Sequence, residues 1–583
     1  MRNITYEGPS TPLSEELDAM KYRQKGETFD GKVKRLARSL CDGTEHQWIL
    51  EDIFGNMRFL PAGRVQSAMG ADKLVTAYNC FVSGEIKDSM DSIMDRAKEA
   101  AETMRRGGGI GYDFSKVRPK GNTIKSLESQ ASGPISFMSI FDAVCQTISS
   151  SGHRRGAQMG VLRIDHPDIV DFITAKRNSD KLTGFNISLG ITDKFMEALS
   201  KEDDSFDLIF EGIVHETVSA NEIWNLAMES TWDWAEPGVL FIDRIKEMNN
   251  LYYCEDISAT NPCGEQPLPP YGACLLGSFN LTKYLTGDTG NYTFNFEQFK
   301  EDIPHVVRAQ DNVVDRTIYP LREQEDEAKN KRRMGLGITG LANAGEMLGF
   351  EYGSKPFLRW MEKVFACLRD NTYYASAKLA EEKGAFPLYR EEYLKGNFIR
   401  TLPSFVQKEI RKHGIRNSHL TSIAPTGTIS LVADNVSGGI EPVFSHSYQR
   451  TIQTFDGPRY EDVKDYAFAK GVSGRKADDI SVYEHLAVLT LAQHYIDSAC
   501  SKTCNVGDDV TYEDFKRVYE TAWKEGAKGC TTFRLSGRRY GILNEAVEEK
   551  EASTSETQSP SEESIEKAEA CFFDPNTGQR ECA

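Results

Sequence analysis

The sequence predicts an α/β fold, and three observations carry the prediction. From about residue 59 to 543, apolar segments alternate with helical patterns and no clear linker interrupts them. Short apolar runs read as buried strands: Gly160-Val-Leu-Arg-Ile, Phe185-Asn-Ile-Ser-Leu-Gly and Val239-Leu-Phe-Ile. Longer stretches with helical periodicity stand between and after them, among them Ser89 to Arg106 and Phe357 to Lys383. With 39% hydrophobic and 10% aromatic residues, the 583-residue chain can bury a sizeable core.

Taken in order, residues 1–58 read as a small, partly polar helical region, with Ser14-Glu-Glu-Leu-Asp-Ala-Met and Lys32 to Leu40 as its helices. Residues 59–544 form one large α/β unit without internal repeats. Residues 545–569 hold nine Glu, two Lys and no aromatic, the composition of a solvated, disordered linker. Residues 570–583 end in Cys571-Phe-Phe-Asp-Pro-Asn-Thr-Gly-Gln-Arg-Glu-Cys582-Ala. Two thiols at the end of such an arm suggest a mobile redox device.

Charge narrows the function. Lys plus Arg number 69 against 87 Asp plus Glu, a net −18, which argues against a global grip on nucleic acid or anionic membrane. A local basic pocket for phosphates is compatible with it. No apolar run reaches the ~18 residues of a membrane span, and Met1-Arg-Asn-Ile-Thr-Tyr-Glu-Gly has no signal-like apolar stretch. A cytoplasmic protein is expected, in a microbial cell or, if viral, its host. Twelve cysteines in so long a chain are not a disulfide scaffold. They read as free thiols, metal ligands or redox catalysts, and the absence of CxxC weakens zinc. Cys500 and Cys504 are expected one turn apart on a helix. P-loop, zincin and hydrolase-elbow motifs are absent. Gly335-Leu-Gly337-Ile-Thr-Gly340 satisfies GxGxxG, but the run before it, Lys329-Asn-Lys-Arg-Arg-Met, is no buried strand, so tight helix packing is the expectation.

The chemistry concentrates at Asn261-Pro-Cys263-Gly-Glu265. Pro and Gly force a sharp turn, which is expected to project Cys263 outward with an amide and a carboxylate two residues to either side. Cys80, in Tyr78-Asn-Cys-Phe-Val-Ser, and Cys274, in Tyr271-Gly-Ala-Cys-Leu-Leu-Gly, read as thiols buried in strands. Pro425-Thr-Gly-Thr-Ile-Ser430 reads as a hydroxyl-rich turn opening a helix, a start suited to phosphate.

Six blocks in this order resemble the large catalytic subunit of ribonucleotide reductase. They are Asn79-Cys80-Phe81, Asp88-Ser-Met-Asp-Ser-Ile93, Gly107-Gly-Gly-Ile-Gly-Tyr-Asp-Phe-Ser115, Asn261-Pro-Cys-Gly-Glu265, Met334-Gly-Leu-Gly-Ile-Thr-Gly-Leu-Ala342 and Ala424-Pro-Thr-Gly-Thr-Ile-Ser430. The resemblance implies a ten-stranded α/β barrel whose central finger loop carries the active cysteine. It implies a thiyl radical at Cys263 that takes the ribose 3′-hydrogen, Glu265 as general base, Asn261 as an orienting group, and Cys80 with Cys274 as the reductant that ends as a disulfide. Substrate would be held by Asn79, Gly109, Pro425, Thr426, Gly427, Thr428 and Ile429. A deoxynucleotide or ATP effector would sit at Asp88, Ser89 and Arg118, with residues 176–184 as a flexible loop joining it to substrate choice. Thioredoxin or glutaredoxin would reset the tail cysteines, Cys571 and Cys582, and the chain would form a homodimer.

The resemblance also points to a radical source. Class I members import the radical through a tyrosine pair, and the corresponding stretch here is Lys528-Gly-Cys-Thr-Thr-Phe-Arg534, without that pair. Gly152 to Asp168 is similar to class II, which implies adenosylcobalamin as cofactor, with cobalt carried by the cofactor and no metal held by the protein. A class I large subunit awaiting a radical-generating partner, and a catalytically dead nucleotide-binding regulator on the same fold, are the alternatives. Residues 1–58 are too short for the N-terminal nucleotide-binding cone of many members, so inhibition by dATP there is not expected. The tail cysteines stand further apart than the family's usual close pair.

Overall fold

A computed structural model describes residues 6–124, 128–148, 157–177, 181–454, 457–507 and 510–534, with the backbone of 571–573 and 580–582. Three helices come first: α1 Pro12–Tyr22, capped by Thr11, α2 Phe29–Leu40, capped by Thr28, and α3 Thr44–Gly55. Strand β1, Phe59–Pro61, follows. Then five strands lie side by side and parallel: β2 Cys80–Val82, β3 Gly109–Asp113, β4 Gln158–Arg163, β5 Phe185–Ile191 and β6 Gly238–Phe241. Parallel neighbours need crossover connections, and helices supply them, α4 Met90–Arg105 and α5 Pro134–Thr147 among them. Helices on the faces bury such strands on both sides, so they read as nearly unbroken apolar runs. All seven residues of β5 are buried.

A second array starts with β7, Ala273–Cys274, which pairs antiparallel with β2 and is separated by Leu275 alone from β8, Leu276–Asn280. Strand β8 takes β1 on one side, antiparallel, and β9, Gly335–Thr339, on the other, parallel. Parallel bridges extend this array from Leu336 to Thr421 and from Ile423 to Cys500. The chain then runs into β10, Thr503–Val506, which pairs with β11, Gly529–Arg534, at the far edge of the first sheet. Both edges of the first sheet thus pass directly into the second array. Among the described residues no helix is long and apolar enough to cross a membrane.

Two expectations are corrected here. Cys500 and Cys504 do not share a helix: Cys500 bridges Ile423, Cys504 lies in β10, and its thiol meets that of Cys530 on the neighbouring strand. The GxGxxG block is itself a fully buried strand, and the expected tight helix packing lies beyond it, where a Cβ at Gly345 would stand 2.5 Å from the Phe357 ring. A Cβ at Gly335 would stand 2.4 Å from Gln266 Nε2, and one at Gly337 would stand 2.3 Å from the Ser422 carbonyl. Only Gly340, at φ +72°, turns the chain into α6, Leu341–Met347.

The linker 545–569 and residues 152–156 lie outside the described residues. In the tail, β12 Cys571–Phe573 pairs antiparallel with β13 Arg580–Cys582, and the register sets residue 571 opposite residue 582.

Candidate active site

The loop 261–266 is closed at its base by Ala259-Thr260 pairing with Pro267-Leu268. Asn261 shapes it. Its amide N–H donates to the Gln266 carbonyl (3.2 Å), and its side-chain Oδ1 accepts from the Gln266 N–H (3.0 Å) and from Thr260 Oγ1 (3.2 Å). Gly264 supplies the left-handed residue the turn needs, φ +84°, with no atom within 4 Å of where its Cβ would stand. The loop is tied on both sides: Asn186 on β5 donates to the Pro262 carbonyl (3.3 Å), while the Ala499 N–H and Ser422 Oγ both donate to the Glu265 carbonyl (2.9 Å each). The turn is as expected, but its direction is not. Cys263 is 8% exposed, so the loop carries the thiol inward.

Bare backbone lets the loop come so close. A Cβ on Gly111 of β3 would lie 1.9 Å from the Thr260 carbonyl oxygen. A Cβ on Gly109 would lie 3.2 Å from both Cys80 Sγ and Pro262 Cγ, so this glycine is where a strand thiol and the loop meet. Cys80 and Cys274 face each other directly across the β2–β7 ladder. Burial pushes the Cys274 thiol well above the usual cysteine value, with the nearby Glu265, Cys80 and Cys263 adding to the shift. Three thiols and a carboxylate from three separate segments therefore share one buried space, and Cys274 is held as the neutral S–H.

Two polar atoms in this region have no partner among the described residues: Asn261 Nδ2, a donor, and Asn79 Oδ1, an acceptor. Buried polar groups are normally satisfied, so both are suited to a polar ligand. Gln266, wholly buried, also leaves both amide atoms unpartnered.

The turn at 425–429 opens α7, Gly427–Val432, as the sequence suggested. Thr426 stands in the left-handed region, φ +59°, and its hydroxyl is engaged by the Gly439 N–H (2.8 Å) and Thr339 Oγ1 (3.0 Å). That hydroxyl holds the turn in shape, while Thr428 at the opening of the helix is exposed.

Asp88 and Arg118 meet: the guanidinium Nε donates to Asp88 Oδ2 (2.6 Å) and the Arg118 amide to Oδ1 (3.2 Å). Ser89 caps α4 by accepting from the Ser92 N–H (3.2 Å). The expected flexible loop 176–184 is anchored at its start, where Lys176 pairs with Glu236 (2.7 Å) and Arg177 donates to Ser230 Oγ (2.9 Å); residues 178–180 lie outside the described residues. Sequence reasoning missed the supports of the loop, Gly111, Asn186, Ser422 and Ala499, because no local pattern marks them. No group of three or more His, Cys, Asp or Glu among the described residues could hold a metal ion.

The sequence is similar to those of known proteins. The family described as "Ribonucleotide reductase, barrel domain" matches residues 78–466 and 465–533. A vitamin B12-dependent ribonucleoside-diphosphate reductase of Thermoplasma acidophilum is 34% identical, over 88% of this chain and 67% of that protein. One of Mycobacterium tuberculosis is 33% identical over 90% of this chain and 77% of its own length. A vitamin B12-dependent ribonucleotide reductase of Streptomyces coelicolor is 28% identical over 84% of this chain and 60% of its own. With its buried thiols joined to a family match that spans most of its length, the chain belongs to the ribonucleotide reductases.

Proposed function

We propose that the chain reduces ribonucleotides to 2′-deoxyribonucleotides by thiyl-radical chemistry, with adenosylcobalamin as cofactor and diphosphates as substrates. The observation that carries the reading is the meeting of Cys80, Cys263, Cys274 and Glu265 in one buried space. The names of the Thermoplasma and Mycobacterium proteins support the cofactor and the diphosphate. Both edges of the first sheet continue into the second array, which supports closure into a ten-stranded barrel around a finger loop at 261–266.

The residues fit a cofactor that brings its own metal. The open side of the loop tip at Gly264 leaves room beside the thiol, and Pro262 and Gly264 would border the group. When bound, adenosylcobalamin supplies the radical equivalent that leaves Cys263 as a thiyl. Cys263 takes the 3′-hydrogen of the ribose, and Glu265 takes the 3′-hydroxyl proton on its carboxylate. The free Asn261 Nδ2 donates to a sugar oxygen and orients it. The 2′-hydroxyl departs as water with a proton from the Cys80–Cys274 pair, whose two electrons complete the reduction as it closes to a disulfide. Asn79 and Gly109 line the sugar, and residues 425–429 hold the phosphates.

Asp88, Ser89 and Arg118 take a deoxynucleotide or ATP effector, which must displace the Arg118–Asp88 pair. We place the enzyme in the cytoplasm as a homodimer. The tail cysteines carry electrons to the Cys80–Cys274 pair by thiol–disulfide exchange. The register of residues 571 and 582 supports their acting as one pair despite their spacing. Thioredoxin or glutaredoxin then resets that pair by thiol–disulfide exchange.

Two measurements check these assignments. The purified chain, given adenosylcobalamin, a reductant and a ribonucleoside diphosphate, will form the deoxyribonucleotide; activity that ignores cobalamin and needs a metal-loaded second protein would establish the class I alternative instead. The double variant Cys571→Ser/Cys582→Ser will turn over with a small dithiol, which diffuses to the buried pair, but will make only about one product per site with thioredoxin. Equal rates with thioredoxin for variant and wild type would remove the tail from the pathway.

A further inference from the structure

Lys528 stands just before β11, in the block that lacks the tyrosine pair, and is 3% exposed. Its main-chain carbonyl accepts from the Phe241 N–H (2.9 Å), which ties it to β6 in the first sheet. Its ammonium group reaches the other way and donates to two successive carbonyls, Asp497 (2.5 Å) and Ser498 (2.7 Å). The next residue, Ala499, donates its N–H to the Glu265 carbonyl. The same turn is fastened to the second array: Asp497 accepts from the amides of Leu420 (2.7 Å) and Thr421 (3.0 Å) and from Tyr373 Oη (2.5 Å), and Ser498 N–H donates to the Thr421 carbonyl (3.2 Å). One short turn therefore joins first sheet, second array and catalytic loop, and a buried cation sits at its centre.

We propose that Lys528 is a positioning residue for the catalytic loop: its ammonium clamps the turn 497–499, and this turn sets Glu265 through the main chain. Burying a cation is costly unless it is well bonded, and burial pulls this lysine down to about 8. An apolar side chain of the same length would pack there without that cost. It could not bond the two carbonyls, and with them it would lose its hold on the turn whose Ala499 N–H donates to the loop. Glu265 acts on a substrate proton, so its position matters at the scale of an ångström. A misplacement of that size costs on the order of 10²-fold in rate.

The inference rests on Glu265 as the base, and the test separates the two. Lys528→Met in the full chain, assayed with adenosylcobalamin, is expected to lower kcat by roughly 10- to 100-fold while KM stays near wild type, since it touches no substrate-binding group. Hydrogen exchange should quicken at the Ala499 amide and in the peptide covering 261–266, with strands β3 to β5 unchanged. Lys528→Arg, which keeps donors for both carbonyls, should recover part of kcat. If Lys528→Met does not fold, Lys528→Gln carries the same measurements. Wild-type kcat, a raised KM at unchanged kcat, or unaltered exchange across 261–266 overturns the clamp. Glu265→Gln is run beside it: an active Glu265→Gln variant refutes the base, whereas a dead one beside a fully active Lys528→Met refutes the clamp alone.

Discussion

Replacing Cys263 with serine will reduce turnover to background, a loss of at least about 10⁶-fold, the low end of enzymatic rate enhancements, and will leave nucleotide binding intact. Serine is nearly isosteric, and the loop owes its shape to Asn261 and Gly264 rather than to the thiol. The supports from Asn186, Ser422 and Ala499 all end on main-chain carbonyls, so they survive the change. What goes is the S–H bond, weak enough to be broken and re-formed in each cycle; an O–H bond is too strong to serve. Turnover and equilibrium binding, measured on the same preparation, check this. Appreciable turnover would remove Cys263 from the radical role, and lost binding would show that the loop had collapsed.

Cys274→Ser will stop multiple turnover with every reductant. The reaction needs two electrons and ends in a disulfide, and one thiol supplies neither. Directly opposed residues of an antiparallel pair have Cα atoms about 4.5–5.5 Å apart, inside the roughly 4.4–6.8 Å that a disulfide tolerates. Cys80 and Cys274 occupy such positions, so the bond can close without moving either strand. Product counted per site by rapid quench should stay well below one equivalent, and a small dithiol should not raise it. That distinguishes this variant from the tail double variant, which a small dithiol rescues. Continued cycling would show that another thiol supplies the electrons.

Much of this was legible in the sequence, for identifiable reasons. Strands buried on both faces announce themselves as apolar runs, so β4, β5 and β6 were readable at Gly160, Phe185 and Val239. The turn at 261–265 was readable because Pro and Gly leave the backbone few choices. Its inward direction was not, because that depends on glycines 150 and more residues upstream whose missing side chains make the room. The same long-range cause misled the reading of Gly335 and Gly337, whose spacing imitates a nucleotide fingerprint while their role is to admit Gln266 and Ser422. Cys504 found its partner in Cys530, on an adjacent strand, not in Cys500 four residues away. Lys528 was in view only as part of a block that lacks something; its two carbonyl partners lie about thirty residues back in the chain.

The seating of the Thr260 carbonyl directly against Gly111 has a consequence for heat and time. Side-chain contacts loosen as rotamers hop, and each rotamer-rich group adds its own motion to whatever rests on it. Main chain against main chain has no rotamers. The base of the loop at Thr260 therefore fluctuates with the strand beneath it rather than with a layer of mobile side chains. A reactive sulfur held this way meets the same few neighbours at every instant, which limits the stray hydrogen atoms within its reach during the life of the radical.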